Sequence, residues 1–321
     1  MKSIAIIGAG QLGSRHLQAL AHLREEFVIQ VVDNNESSLA LSQQRFNEVS
    51  KDFSGTVSYL NSINQLNDLL EVVIVATSSA VRKNIIVELL NSKKVKYLIL
   101  EKFLFPKIEE YKIVTDLLNE TGTLAWVNCP RRMFDFYKNL TGKLAGEVRM
   151  TAIGNAWGLA CNGIHLLDLF SFITGSKNIQ LNNQLLNKEI IASKREGYIE
   201  VTGTINCVSN NCTIELTSFS KNESPLTITI ADENNRYIIQ EGQLSTVLHS
   251  SRQNEWKWET SNFDFLFQSQ LTHLVVNDLF KTGACQLTPY AESAQMHQLF
   301  LETILDHVKK TNPQITECLI T

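Results

Sequence analysis

Two short stretches carry side chains suited to moving a proton to or from an oxygen. In VKYLILEKFLFP, Val95–Pro106, an apolar run stops at Glu101-Lys102 and resumes at Phe103. In GIHLLDL, His165 and Asp168 stand three apart, which on a helix puts both on one face. An imidazole beside a carboxylate is an acid/base arrangement, and a lysine serves as proton donor or as a fixed cation. Desolvation and nearby cations lower a lysine's pKa, whereas an adjacent carboxylate such as Glu101 holds its charge. The plainer readings are a solvated turn at Lys102, and a satisfied histidine with a surface aspartate at 165 and 168. Arg131 and Arg132, in WVNCPRRMFDF, offer guanidinium forks for a carboxylate or phosphate on a substrate, or else begin a surface helix. Trp157 and Asn162 come shortly before His165. An indole there stacks on a sugar ring or fills a core.

Such groups need elements to position them. At the start of the chain, SIAIIG reads as a strand and QLGSRHLQALAHL as a helix, with GAGQLG between them. Gly8, Gly10 and Gly13 have the GxGxxG spacing, a weak signal alone and a strong one between a strand and a helix. The first glycine permits a tight turn, the second lets the backbone approach a pyrophosphate, and the third permits close helix packing. Gln11 and Leu12 lie within this loop, where free helix N–H groups favour an anion. Asp33 ends the next strand, 25 positions after Gly8. A carboxylate there accepts from the adenosine ribose hydroxyls and repels a 2′-phosphate, so NAD(H) is expected over NADP(H). Thr77, after the fourth strand, and Glu101, after the fifth, complete the expected cofactor contacts. With a nicotinamide cofactor, the proton-moving groups fit hydride exchange at an alcohol or carbonyl carbon.

Strand–helix alternation continues to Asn128, with Ser62 as a helix cap in SINQLNDLL, and implies a parallel sheet covered on both faces. After Pro130 a strand, EVRMTAIGNAW, and a helix ending at Gly175 are followed by runs that read as strands, the last being NEWKWET. Two helices, near 265–280 and 291–310, close the chain. The expected fold is α/β: a doubly wound parallel sheet over 1–128, then an α+β domain over 129–321 with a large, mostly antiparallel open sheet. The C-terminal helix is expected to pack back on the first domain. A chain of 321 residues suits two domains, and 44% hydrophobic with 19% charged residues suits a folded one. A net charge of −4 makes no case for nucleic acid or an anionic membrane. No apolar stretch nears the roughly 20 residues that span a bilayer. Six scattered cysteines suggest free thiols in a reducing cytoplasm and no metal site.

AIIGAGQLGSRHLQAL, the Glu-Lys after the fifth strand, and GIHLLDL occur in the order and spacing of the glucose-fructose oxidoreductase / inositol dehydrogenase / MocA family, which the chain resembles over nearly its whole length. His16 matches the family's first motif. The resemblance implies a Rossmann domain and an NAD(P)-dependent oxidoreductase acting on sugars, nucleotide sugars, cyclitols or similar polyols. It implies Lys102 as the motif lysine, His165 as the acid/base or substrate-orienting histidine and Asp168 as its companion. It further implies a substrate pocket between the domains and a homodimer or homotetramer formed through an open second sheet with an uncovered apolar face. Phe103 stands where the family has proline. A cis bond before a non-proline residue costs about 2.5–4 kcal/mol, so a different turn is expected there. Arg82 stands near a family histidine, which bears on the nicotinamide-side contacts. Two other functions fit the same residues: a dinucleotide-binding sensor or partner protein without turnover, and a reductase of an imine or dihydrodiol.

Overall fold

A computed structural model describes residues 2–222 and 224–320. In chain order its elements are β1 (Lys2–Ile7), α1 (Gln11–Leu20), β2 (Phe27–Val32), α2 (Glu36–Asn47), β3 (Thr56–Leu60), β4 (Leu69–Val75), α3 (Ser79–Ser92), β5 (Lys94–Leu100), α4 (Ile108–Thr121), β6 (Leu124–Val127), α5 (Asp135–Leu140), β7 (Arg149–Asn155) and α6 (Leu159–Thr174). There follow β8 (Gln180–Ala192), β9 (Ile199–Ser209), β10 (Cys212–Phe219), β11 (Ser224–Ala231), β12 (Asn235–Gln240), β13 (Leu244–Ser251), β14 (Glu259–Asp264), α7 (Thr272–Thr282), β15 (Thr288–Pro289) and α8 (Tyr290–Lys309). The chain divides into two compact units. One comprises Met1–Phe105, Glu109–Asn128 and Leu266–Ser293; the other comprises Pro106–Ile108, Cys129–Phe265 and Ala294–Thr321.

In the first unit the sheet order is β15-β6-β5-β4-β1-β2-β3. Strands β1 to β6 run parallel, and β15 joins β6 antiparallel. Ile4, Ala5 and Ile6 of β1 and Val72 to Val75 of β4 are fully buried. A strand covered on both faces needs apolar residues at every position, which is why these runs do not alternate. The order reverses at β1, between β2 and β4, and such a switch leaves a crevice at the strands' C-terminal ends. The helix expected after Ser62 is a single 3-10 turn, Ile63–Gln65, which the Ser62 side chain caps by accepting from Asn64 N. Leu69 and Leu70 already belong to β4, so too little chain remains for a helix.

In the second unit the order is β14-β13-β12-β11-β7-β10-β9-β8. Only the β7–β10 pairing is parallel. One face is apolar and buried, with Met150, Ala152, Ile214, Leu216, Ile228 and Ile230. Helix α6 packs on that face across β9 and β10 and stops at Gly175 in the left-handed conformation. The strand expected at NEWKWET is instead a turn, with Glu255 and Trp256 at φ 59° and 61°. The strand β14 begins at its last two residues. The opposite face of the sheet carries threonines that bond across strands, Thr151 to Thr229 at 2.7 Å and Thr204 to Thr217 at 2.9 Å. Among them stand the part-exposed Ile153, Val208 and Ile238. This face is mixed rather than apolar, because β-branched threonine fits a pleated surface while remaining polar.

Candidate active site

The glycine turn lies at the C-terminal end of β1. Gly8 has φ +98°, and a Cβ there would fall 2.9 Å from the Ala76 carbonyl carbon; one on Gly13 would fall 1.7 Å from Gly8 O. A side chain at either position collides with backbone, so α1 can start against β1 and β4 only with glycines there. A Cβ on Gly10 would meet nothing within 4 Å. Among the described residues no side chain caps α1, which leaves its first N–H groups without a side-chain partner. Asp33 follows β2. Its Oδ2 accepts from Ala9 N at 2.7 Å and its Oδ1 from Asn35 N at 2.9 Å. Each oxygen keeps a lone pair for a further donor. Thr77 follows β4, next to Gly8. Its Oγ1 is buried and has no hydrogen-bond partner among the described residues. An orphaned hydroxyl beside an uncapped helix start and a glycine turn fits a bound dinucleotide. Gln11 is held sideways, its Oε1 accepting from Arg45 Nη2 at 2.7 Å. Leu12 is part-exposed at the same helix start.

Glu101 and Lys102 follow β5 on the same edge. Glu101 is buried, and its Oε1 meets His16 Nε2 at 2.9 Å and Asn128 Nδ2. Burial alone would raise its pKa. Hydrogen bonds from His16 and Asn128, with the positive charge of Arg82, outweigh burial and hold the carboxyl below its ordinary value. Lys102 is half-buried. The Lys102–Phe103 peptide is cis, contrary to the turn expected from the missing proline. The surroundings account for the turn: Phe103, Leu104 and Phe105 are fully buried, and Arg82 reaches the Phe103, Leu104 and Thr77 carbonyls from inside the unit. Arg82 is thus a pin between the β4 and β5 ends, a role that its place in the first turn of α3 does not announce.

In the second unit, His165 lies half-buried on α6 and Asp168 is fully buried one turn later. The Asp168 Oδ2 accepts from Arg132 Nε at 2.8 Å. Arg131 makes a two-pronged pair with Glu241, Nε to Oε1 at 2.9 Å and Nη2 to Oε2 at 2.5 Å. The same carboxylate accepts from Tyr137 OH at 2.7 Å. Burial pulls Arg131 down, and Glu241 more than offsets it, so the guanidinium stays above its ordinary pKa. Both arginines, expected to hold a substrate anion, therefore already have carboxylate partners within the chain. The short 3-10 turn Pro130–Met133 carries them inward toward Glu241 and α6. Trp157 and Asn162 border a cavity of about 300 Å³ with Cys161, Ile191, Glu200 and Thr202. The indole is fixed by Nε1 donating to Thr217 O at 2.8 Å, and Asn162 Nδ2 donates to Trp157 O at 2.7 Å. Glu200, from β9, accepts from Ala160 N at 2.5 Å and Cys161 N at 3.2 Å and so caps α6. Nothing in the local sequence links Glu200 to that helix, nor Glu241 to Arg131; each pair joins distant strands and helices.

A parallel sheet reversing at β1, with a glycine turn, an acid after β2 and a lysine after β5, defines a dinucleotide-binding α/β protein. Residues 2–129 match the model of the Gfo/Idh/MocA oxidoreductase family, described as an NAD-binding Rossmann fold. No curated protein sequence matches the chain. Among solved structures, the fold is similar to that of an oxidoreductase from Agrobacterium radiobacter in complex with NAD+, L-tartaric acid and magnesium (15% identity, 96% of this chain and 97% of that one, TM-score 0.72). It is also similar to UDP-N-acetylglucosamine 3-dehydrogenase from Acidithiobacillus ferrooxidans (13%, 94% and 96%, 0.69). The transcriptional regulator Gal80p from Kluyveromyces lactis shares it too (12%, 96% and 92%, 0.69). No helix among the described residues is long and apolar enough to cross a membrane.

Proposed function

We propose that this chain is an NAD(H)-dependent oxidoreductase acting on a hydroxyl or keto carbon of a sugar, nucleotide sugar or sugar acid. The observation that carries this reading is one sheet edge, where the glycine turn, Asp33, the orphaned Thr77 hydroxyl and Lys102 follow β1, β2, β4 and β5 in turn. Asp33 offers its remaining lone pairs to ribose hydroxyls and repels a 2′-phosphate, which favours NAD(H) over NADP(H). When bound, the nicotinamide supplies the hydride acceptor or donor. Lys102 stabilises charge on the reacting oxygen and His165 exchanges its proton. Asp168, held by Arg132, orients α6 around His165. Trp157 and Asn162 remain the substrate contacts. With Arg131 and Arg132 engaged by Glu241 and Asp168, the reading does not rest on an anionic group, and the hydroxylated moiety of the substrate is the part recognised. The tartaric acid and nucleotide-sugar chemistry of the structural neighbours supports a hydroxylated substrate. The protein works in the cytoplasm, where six free thiols are stable, as an oligomer joined through the open sheet face.

The test follows NADH absorbance while the protein is offered NAD+ with nucleotide sugars, polyols and sugar acids. Once a substrate is found, Lys102→Ala and His165→Ala should each lower turnover by roughly 10²–10⁴ while NADH affinity changes little. Unchanged turnover in both variants would sink the assignment. A second reading, a dinucleotide-binding regulator, draws on the fold shared with Gal80p and on Phe103 in place of proline. Tight NADH binding with no turnover across the whole panel would favour it.

A further inference from the structure

The buried network under the Lys102 turn is closed by residues from a distant part of the chain. Gln268 lies in the 3-10 turn Gln268–Gln270, and Thr272 opens α7. Both belong to the segment that returns to the first unit. His16 Nδ1 meets Thr272 Oγ1 at 2.8 Å. Gln268 Nε2 donates to Thr272 Oγ1 at 2.9 Å, and Gln268 Oε1 accepts from Asn128 Nδ2 at 2.7 Å. An ionised Glu101 can only accept, so His16 Nε2 donates to it. In the neutral ring Nδ1 then accepts from the Thr272 hydroxyl, which itself accepts from Gln268. Asn128 donates both to Gln268 and to Glu101. The five side chains form one circuit, buried except at the part-exposed Gln268, in which every bond fixes the direction of the next.

The circuit ends on Glu101, the residue before Lys102. A dinucleotide with its adenosine ribose at Asp33, after β2, crosses the glycine turn at β1 and brings its nicotinamide half to the β4–β5 side of the edge. We propose that Gln268 and Thr272 are positioning residues: they hold His16 and Asn128 on Glu101, and so set the Lys102 turn where the nicotinamide half binds. This rests on the dinucleotide reading above. Both act through the circuit.

The test compares two ligands, NADH and ADP-ribose, which lacks the nicotinamide. Wild type, Gln268→Ala, Thr272→Val and Thr272→Ser are titrated with each by calorimetry, and the melting temperature of each protein is recorded. Removing one partner of a buried hydrogen bond should weaken NADH roughly tenfold in Gln268→Ala and Thr272→Val, with ADP-ribose changed less than about twofold. Thr272→Ser keeps the hydroxyl and should restore NADH affinity. Equal weakening of both ligands, or no weakening of either, overturns the proposal, because a merely structural role does not distinguish the two halves. Wild-type protein that binds neither ligand overturns the dinucleotide reading itself, and this inference with it.

Discussion

Thr77 and Glu101 are the two residues whose surroundings give the sharpest expectations. The Thr77 hydroxyl is buried without a partner, a cost to the ligand-free chain that a bound dinucleotide would relieve. Thr77→Val should therefore raise unfolding stability without ligand by about 1 kcal/mol and weaken NADH roughly five- to tenfold. A denaturant midpoint and a fluorescence titration of the same sample measure both. Glu101 is held below the ordinary carboxyl value of 4.5. Above that value the unfolded chain is ionised too, and the carboxylate's favourable contacts contribute in full. As pH falls below 4.5 the unfolded chain takes up its proton first, and the contribution is lost as pH drops through the folded value. In Glu101→Gln that part of the pH dependence should vanish, so stability plotted against pH becomes flatter below 4.5 than in wild type. Identical slopes would show that Glu101 does not titrate as its partners require.

Helix α6 carries His165, and its start depends on a strand rather than on its own sequence. Gly158, at the N-cap, has no side chain to offer, so the Glu200 carboxylate from β9 takes the N–H groups of Ala160 and Cys161. Glu200→Ala should cost about 1–3 kcal/mol in unfolding free energy and speed amide hydrogen exchange over the first turn of α6. Unchanged exchange at Ala160 and Cys161 would mean the cap is dispensable. Local pattern made α6 legible, since GIHLLDLFSFITG is nearly continuous in apolar residues and ends at glycine. The short helix expected after Ser62 and the strand expected at NEWKWET were misread because propensity there yields to the space left between neighbouring strands.

For the whole molecule, the open face of the second sheet is the surface that bears on assembly. Ile153, Val208 and Ile238 stand part-exposed among cross-bonded threonines, a composition that suits pairing with a second copy. Sedimentation equilibrium should give a mass of two or four chains. Ile153→Arg, which places a charge at the middle of that face, should shift the mass to a single chain. A wild-type mass of one chain would remove the oligomer from the functional reading.

What the sequence determined by itself was whatever short-range pattern encodes. The apolar strands, the glycine spacing, Asp33 at a strand end and Lys102 after β5 are local facts, since a turn or a buried strand demands particular residues within a few positions. The family resemblance, and the match over residues 2–129, followed from their order. What only the tertiary structure decided was pairing across long stretches of chain. Arg131 and Arg132 looked available for an anion until Glu241 and Asp168 proved to hold them. The circuit through His16, Glu101, Asn128, Gln268 and Thr272 draws on four separate segments. A buried polar group must find a partner, but nothing in its neighbours along the chain says where that partner comes from.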